Sequence, residues 1–402
     1  HHFFGGKVAF KGVGVPASRA TRGFLVVDSQ GNRRYLKDTW RILSDTIQKE
    51  GDVYALLKEH NVPHVPDVVV SGNAVGDWQR TKTHEYVTPT SQDAVLRNHQ
   101  HYFIVFAQVG IPLKDFKNSF ELVQATSHAI EAHKGAYEQA KILHRDISVG
   151  NILITDEGDG LLIDWEFSKP LDSSKARLTE RTGTWQFMSG NLLSHEPGEA
   201  NHVLADDLES FYHVLCWVTL MHGRHGLTVK AVETQIARAY DAWHGLNESD
   251  AVGGEKKILD LVQRYMRTQA KLARGPLRSL IYELESVFRV RYLINKPPQD
   301  SEDEVSDGEP SEKTLAQLKK LDDTEWICQR FSEALREKDQ LIQQERDPER
   351  DPKLPNLRGE KSAANARKRK KTTSELQEEA LGEEEEKEEE ERPLRKPRTP
   401  KS

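Results

Sequence analysis

The chain has 402 residues, a formal net charge of −7 and two cysteines, Cys216 and Cys328. Two cysteines argue against a disulfide framework, and the apolar run around Cys216 predicts a buried thiol in a reducing compartment. No apolar run approaches the roughly 18 residues of a membrane span, and no signal peptide is visible. We therefore expect no membrane partner. The length is enough for one two-lobed domain with extensions.

The N-terminal part of the chain predicts mostly strands. Residues 23–27 and 34–37 flank an SQGN turn, which is typical of a hairpin. Residues 101–107 are apolar enough to form a buried strand. A sheet near the start of the chain follows from these patterns.

A helix is predicted between these strands, at residues 46–60, with Tyr54 and Leu57 on one face. Glu50 falls on the same face, and a buried carboxylate requires a cation. Lys37, which ends the preceding strand, is the predicted partner. The alternative is that Glu50 is an ordinary exposed residue near the helix centre.

The sequence HRDISVGN contains Asp146 and Asn151, the most informative residues of the chain. Two short apolar strands, ILI and LLI, follow on either side of a turn rich in Gly and Asp, and Asp164 comes directly after the second. Such a hairpin returns Asp164 to the level of Asn151. Asn and Asp oxygens suit Mg²⁺, and a carboxylate like Asp146 accepts a hydroxyl proton in phosphoryl transfer. The tripeptide HRD alone also arises by chance.

The C-terminal half predicts helices. The sequence DDLES opens one of them with acidic residues that suit a helix N-terminus. The residues after it are apolar all round, which indicates a helix buried on every side. The predicted helices cover residues 119–141, 206–221, 229–244, 255–268, 277–293 and 313–344.

The last residues, from 346 onward, are charged and nearly free of aromatics, which predicts a disordered tail. A basic cluster, RKRKK, begins at Arg367 and ends at Lys371. It predicts contact with a nuclear import receptor, and a weak contact of the tail with nucleic acid or histones. The expected location is the nucleus, the cytoplasm or both; the alternative is a solvated tail without a specific partner.

The motif HRDISVGN resembles the HRDxxxxN catalytic loop of eukaryotic protein kinases, and DWE at 164–166 stands where that family has DFG. Four segments resemble the fungal-type protein kinase family more closely than the common Ser/Thr kinases. They are LHRDISVGNILI, LLIDWEFSK, GTWQFMS and DDLESFYHVL. The resemblance covers roughly residues 7–294 and is strongest at 143–220.

This resemblance implies an α+β fold of the bilobal protein-kinase-like type. A β-rich N-lobe would occupy residues 1–107, and a larger helical C-lobe residues 108–345. An acidic insertion is expected at about 297–312, and the disordered charged tail at 346–402. Residues 108–112 would form the hinge whose backbone contacts adenine.

It also implies ATP and Mg²⁺ as cofactors and Ser or Thr hydroxyls of a protein as the acceptor. Lys37, paired with Glu50, would hold the α- and β-phosphates. Asp146 would be the base, while Asn151 and Asp164 would bind Mg²⁺.

The phosphate-binding loop departs from the family pattern. SRATRG stands where the fungal family tends to have G-R-G-T-R, and Ser18 and Ala20 limit the approach of backbone N–H groups to phosphate. Arg19 and Arg22 would supply charge there instead.

Five further residues have structural or regulatory roles by resemblance. His144 would pack against Trp165, and Asp207 would bond to the backbone of the catalytic loop. Arg145 would meet a negative group on the activation segment, and Thr184 would face the acceptor. The candidate phosphorylation sites on that segment are Ser173, Ser174, Thr179 and Thr182.

Two alternatives stay open. DWE also occurs in small-molecule kinases of the aminoglycoside and choline type, although Arg145 and Asp207 favour a protein substrate. A pseudokinase that acts as a scaffold would explain the poor phosphate loop, but not the retained polar residues. No clear APE motif follows Thr184; the sequence MSG at 188–190 is the nearest to it, and Glu196 could supply its glutamate.

Overall fold

The computed structural model describes residues 2–11, 20–43, 47–82, 98–172, 183–245, 251–293 and 311–347. Several predicted features lie outside these residues. They are Arg19, the four candidate phosphorylation sites, most of the acidic insertion, and nearly all of the tail with its basic cluster.

The N-terminal region is rich in β-structure, as predicted. Five strands of the described residues form one antiparallel sheet: β1 (Phe3–Lys11), β2 (Arg22–Asp28), β3 (Arg33–Ile42), β4 (Val68–Asn73) and β5 (His99–Phe106). Their order in the sheet is β1-β2-β3-β5-β4. The predicted hairpin is present, because β2 pairs with β3 across the SQGN turn.

One helix, α1 (Glu50–Glu59), packs on this sheet. It begins four residues later than predicted, with Glu50 in the first turn, where a carboxylate suits the helix dipole. The helix lies close to the sheet at Gly51, where a Cβ would meet the Tyr102 hydroxyl at 2.6 Å. That hydroxyl accepts a hydrogen bond from the Gly51 N–H at 3.0 Å, which fixes the start of the helix.

The C-terminal part is mainly helical, and its core surrounds α4 (Leu204–His222). Almost every residue of α4 is buried, as its apolar sequence predicted. The helices are α2 (Ser119–Glu138), α3 (Gly190–Ser194), α4 (Leu204–His222), α5 (Val229–Ala239), α6 (Glu255–Gln263), α7 (Tyr265–Thr268), α8 (Pro276–Leu293), α9 (Glu312–Lys319), α10 (Glu325–Arg336) and α11 (Lys338–Ile342).

Short strands lie around the predicted catalytic loop. The predicted hairpin is confirmed: β8 pairs with β9, with Ile152 opposite Leu162. The N–H of Ile163 donates to the Asn151 carbonyl at 2.9 Å, so Asp164 returns to the level of Asn151. The strands are β6 (Gly110–Pro112), β7 (Ile142–Leu143), β8 (Ile152–Thr155), β9 (Gly160–Leu162), β10 (Lys169–Pro170), β11 (Trp243–His244) and β12 (Val252–Gly253).

Several predicted helices are shorter or interrupted. The helix predicted at 255–268 breaks at Arg264, whose φ of 55° is incompatible with a continuous helix. The one predicted at 229–244 ends at Ala239, and the one at 313–344 divides into α9, α10 and α11. Within the described residues, every helix is too short or too polar to cross a membrane.

Candidate active site

Lys37, on β3, lies among three carboxylates. Its Nζ lies 2.8 Å from Oε2 of Glu50 and 2.9 Å from Oδ1 of Asp164. A third carboxylate, that of Glu166, is 3.9 Å away. The predicted ion pair between Lys37 and Glu50 is therefore present, and the sheet, α1 and the turn after β9 meet at this lysine.

Negative groups outnumber positive ones in this cluster. Burial disfavours the Lys37 ammonium, yet the three carboxylates more than offset that cost and raise its pKa. Burial raises the pKa of Glu50 against the pull of Lys37, and Oε1 of Glu50 has no hydrogen-bond partner among the described residues. One ligand oxygen from each of Glu50, Asp164 and Glu166 lies within 4.8 Å of the others. The cluster is therefore able to accept a further cation.

Asp164 has a left-handed backbone, with φ 64° and ψ 62°. Asp tolerates this conformation better than most residues do. Its N–H donates to the hydroxyl of Tyr54 on α1 at 3.2 Å, which ties the turn to the helix. The next turn brings Glu166 to Lys37, a contact that the sequence did not predict. The sequence did contain one signal for this contact, the Asp-x-Glu spacing directly after a buried strand.

Asp146 lies in the loop between β7 and β8 and is mostly buried. Its Oδ1 accepts two hydrogen bonds from Thr184, one from the backbone N–H and one from the hydroxyl, both at 2.8 Å. The side-chain amide of Asn151 donates to the carbonyl oxygen of Asp146 at 2.8 Å. This bond fixes Asn151 so that its own amide oxygen is the atom that can bind a metal.

The environment of Asp146 changes its acidity. Burial and the neighbouring charge of Asp164 raise the pKa of Asp146 to about 6, although hydrogen bonds from Thr184 and Asn151 favour the carboxylate. A carboxylate with such a pKa is largely ionised at pH 7 and is basic enough to take a hydroxyl proton as a bond forms.

His144 joins the loop to the strand before Asp164. Burial lowers its pKa to about 4, so the ring is neutral at pH 7. Nδ1 accepts from the N–H of Asp146 at 3.2 Å, so Nε2 carries the proton and donates to the Ile163 carbonyl at 3.1 Å. The ring meets Trp165 edge-on with 4.5 Å between centroids, as predicted.

Asp207 supports the loop from α4, also as predicted. Its Oδ2 accepts from the Arg145 N–H at 3.1 Å and from His133 Nε2 at 2.8 Å, while Oδ1 accepts from His202 Nε2 at 2.7 Å. Burial would raise the pKa of Asp207, but the two histidines hold it well below its ordinary value. Arg145 has a φ of 72°, so this carboxylate anchors a strained backbone.

Gly183 allows Thr184 to reach Asp146. Its φ is 116°, and a Cβ there would lie 2.8 Å from the carbonyl oxygen of Arg145. Both the backbone conformation and the close approach therefore require glycine.

The end of the same segment is fixed by acidic residues of α4. The hydroxyl of Ser189 donates to Oδ1 of Asp206 at 2.6 Å, and the N–H of Gly190 donates to Oε1 of Glu209 at 2.8 Å. The guanidinium of Arg291 on α8 lies 2.6 Å from Asp206 and 3.0 Å from Glu209. Both buried carboxylates thus share one guanidinium and receive neutral hydrogen-bond donors.

Glu196 does not take part in this network. It is exposed, and its N–H donates to the carboxylate of Glu199 at 3.0 Å. The glutamate that pairs with an arginine beneath the segment is Glu209, within the DDLES sequence. The pairing of Glu209 with Arg291 depends on helix packing, which the order of residues in the chain does not show.

The predicted phosphate contact of Arg22 is not supported by the sheet register. Arg22 is exposed and pairs with Asp38, whereas Lys37 pairs with Gly23. Because side chains alternate between the two faces of a strand, Arg22 and Lys37 lie on opposite faces. Ala20, at the edge of the described loop, has a φ of 46°, a conformation that favours glycine.

A comparison with protein families gives one match. The model of the family described as fungal protein kinase matches residues 15–219, about half of the chain. That stretch includes β2 to β5, the loop with Asp146, the hairpin before Asp164, and most of α4. No curated protein matches the chain.

Proposed function

Since this chain belongs to the fungal protein kinase family, we propose that it transfers the γ-phosphate of ATP to Ser or Thr hydroxyls of a protein. Family membership supports phosphotransferase activity in general. The finer assignment is supported above all by Asp146, a buried carboxylate held by Thr184 and placed next to Asn151. The sheet region would be the N-lobe, at 1–107, and the helical region the C-lobe, at 108–345.

The proposed roles follow from the side chains at the site. Lys37 would bind phosphate oxygens of ATP. These contacts would replace some of its present contacts with carboxylates. Asn151 and Asp164 offer the hard oxygens that Mg²⁺ prefers. A bound Mg²⁺ would neutralise charge on the phosphates. Thr184 occupies Oδ1 of Asp146, so Oδ2 is the oxygen that would take the proton of the acceptor hydroxyl.

Two contacts favour a protein acceptor over a small molecule. Asp207 fixes the backbone of Arg145, and Thr184 places an ordered segment directly beside the proposed base. An extended peptide requires such a preformed surface, whereas a small molecule would require an enclosed pocket.

The direct test is transfer of labelled γ-phosphate from Mg·ATP to histone H1 and to casein. We expect transfer by the wild type and a loss of about 10²–10⁴-fold in Asp146→Asn, the usual contribution of a general base. Asp156→Asn, an exposed change on the hairpin, is the matched control. An inactive wild type that still binds Mg·ATP would indicate a pseudokinase or a small-molecule kinase.

Nuclear import remains a separate proposal, because the cluster from Arg367 to Lys371 lies outside the described residues. It is supported only by the compact basic sequence. Deleting residues 361–402 should leave ATP turnover intact and move the protein out of the nucleus. Unchanged localisation would refute the proposal.

A further inference from the structure

Residues 183–190, called the acceptor segment below, are held at their centre by a buried lysine. Lys257 lies on α6 and is 2% exposed. Its Nζ donates to the carbonyl oxygen of Met188 at 2.8 Å and to that of Trp185 at 3.3 Å. One side chain therefore donates hydrogen bonds to two backbone carbonyls of the segment that carries Thr184.

This lysine is an unusual choice for a buried position. Among the described residues, no carboxylate lies within ion-pair distance of its Nζ. Glu209 and Asp241 are the negative charges that act on it, and they do not prevent burial from lowering its pKa to about 7. A buried ammonium is costly unless it is paired, so an apolar residue would fill the space at lower cost.

The groups around Lys257 belong to several helices. The ring of Tyr240, which follows α5, lies 5.5 Å from Nζ. From α4, His213 faces the lysine closely enough for the ammonium to disfavour the imidazolium, in addition to the effect of burial. Neither neighbour replaces the two carbonyl contacts, so the segment is the main polar partner of Lys257.

The acceptor segment is attached at both ends and in its middle. At its start, Thr184 bonds to Asp146; at its end, Ser189 and Gly190 bond to the carboxylates of α4. Lys257 supplies the only one of these attachments that acts on carbonyl groups between the two ends. Gln186, whose side-chain amide donates to Asp241 at 3.0 Å, and the buried side chains of Trp185, Phe187 and Met188 also hold the middle of the segment, so Lys257 adds the contact to its backbone carbonyls.

We propose that Lys257 is a positioning residue, an inference that rests on the proposed function. It fixes the middle of the acceptor segment. Thr184 therefore keeps its hydrogen bonds to Asp146, and the protein acceptor binds to a surface that is already ordered. Its effect is therefore on the acceptor and not on the nucleotide, whose proposed contacts lie around Lys37.

The test compares Lys257→Met with Lys256→Met in the full chain. Lys256 is the neighbouring residue on α6, but it pairs with Asp260 and makes none of the recorded contacts with the segment. For Lys257→Met we expect amide hydrogen exchange in residues 183–190 to accelerate by about tenfold or more, while exchange in β3 and α1 stays unchanged. The KM for the protein acceptor should rise several-fold and the KM for ATP should not change. Lys256→Met should match the wild type in every measurement.

Lys257→Gln provides a second variant in case the methionine variant does not fold. It keeps a donor of similar length without the charge, and we expect an intermediate acceleration of exchange. The proposal is refuted if folded Lys257 variants show wild-type exchange in residues 183–190, or if the KM for ATP rises in parallel with that for the acceptor. A wild type without any phosphate transfer would refute the proposed function, whereas hydrogen exchange would still decide whether Lys257 holds the segment.

Discussion

The two sides of the candidate site are stabilised in opposite ways. On the proposed nucleotide side, three carboxylates lie around the ammonium of Lys37, so negative groups outnumber positive ones in this cluster of described residues. On the proposed acceptor side, Asp146 receives two neutral donors from Thr184, and Gly183 provides the backbone conformation they require. The nucleotide side is thus held by charged groups around one lysine, while the acceptor side is held by neutral hydrogen bonds. This difference predicts which substitutions affect which substrate.

The largest expected effect is on the nucleotide side. Lys37→Met removes the ammonium that lies among the three carboxylates, and we expect phosphate transfer to fall by about 10²–10³-fold, as for loss of one preorganised electrostatic contact. The KM for ATP should rise, because uncompensated carboxylates repel phosphate. Steady-state kinetics measures both quantities. Lys58→Met, on the exposed side of α1, is the control. Equal activity of the two variants would contradict the comparison.

The pH dependence is the next effect in size. Burial and the charge of Asp164 raise the pKa of Asp146 to about 6, so the fraction of carboxylate decreases as the pH falls below that value. Because only the carboxylate can accept the acceptor proton, kcat should fall about tenfold for each pH unit below 6 and should level off above 7. A pH–rate profile between pH 5 and 8 checks this. A profile that stays flat down to pH 5 would be inconsistent with Asp146 as the base.

On the acceptor side, Thr184→Ala removes one of the two hydrogen bonds to Oδ1 of Asp146. A hydrogen bond to a charged group contributes about 1.5–3 kcal/mol, so we expect kcat/KM for the acceptor to fall by at least tenfold. Thr184→Ser keeps the hydroxyl and should retain most of the activity. If alanine and serine behave alike, the hydroxyl contact has no role in transfer.

The smallest expected effect is an improved affinity for ATP. Ala20 adopts a positive φ of 46° where the resemblance places a glycine. Ala20→Gly should relieve this strain, which costs about 1 kcal/mol, and should lower the KM for ATP by a few-fold. The KM for the acceptor should not change, which separates the two sides of the site. A higher KM for ATP in the glycine variant would show that the alanine conformation is required.

The parts of this site that the sequence predicted are those in which neighbours in the chain are neighbours in space. The return of Asp164 to Asn151 follows from one short hairpin, and the pairing of Lys37 with Glu50 follows from one helix face. The first turn of α1 was placed too early, because an apolar stripe does not show where the backbone hydrogen bonds begin.

The remaining features depend on packing between distant elements. Glu209 meets Arg291 only because α4 and α8 cross, and Lys257 reaches the acceptor segment from a helix about 70 residues further along the chain. The predicted phosphate contact of Arg22 lacks support for a similar reason. Its residue type suggested a phosphate contact, but strand register decides which face it occupies.

The measurement that tests the central claim most directly is calorimetric titration of the wild type with ATP, with and without Mg²⁺. If the carboxylate cluster around Lys37 is completed by a cation, ATP should bind much more tightly with Mg²⁺, and Asp164→Asn should remove most of that difference. ATP binding that is equally tight without Mg²⁺ would contradict the account, as would a dependence on Mg²⁺ that survives unchanged in Asp164→Asn.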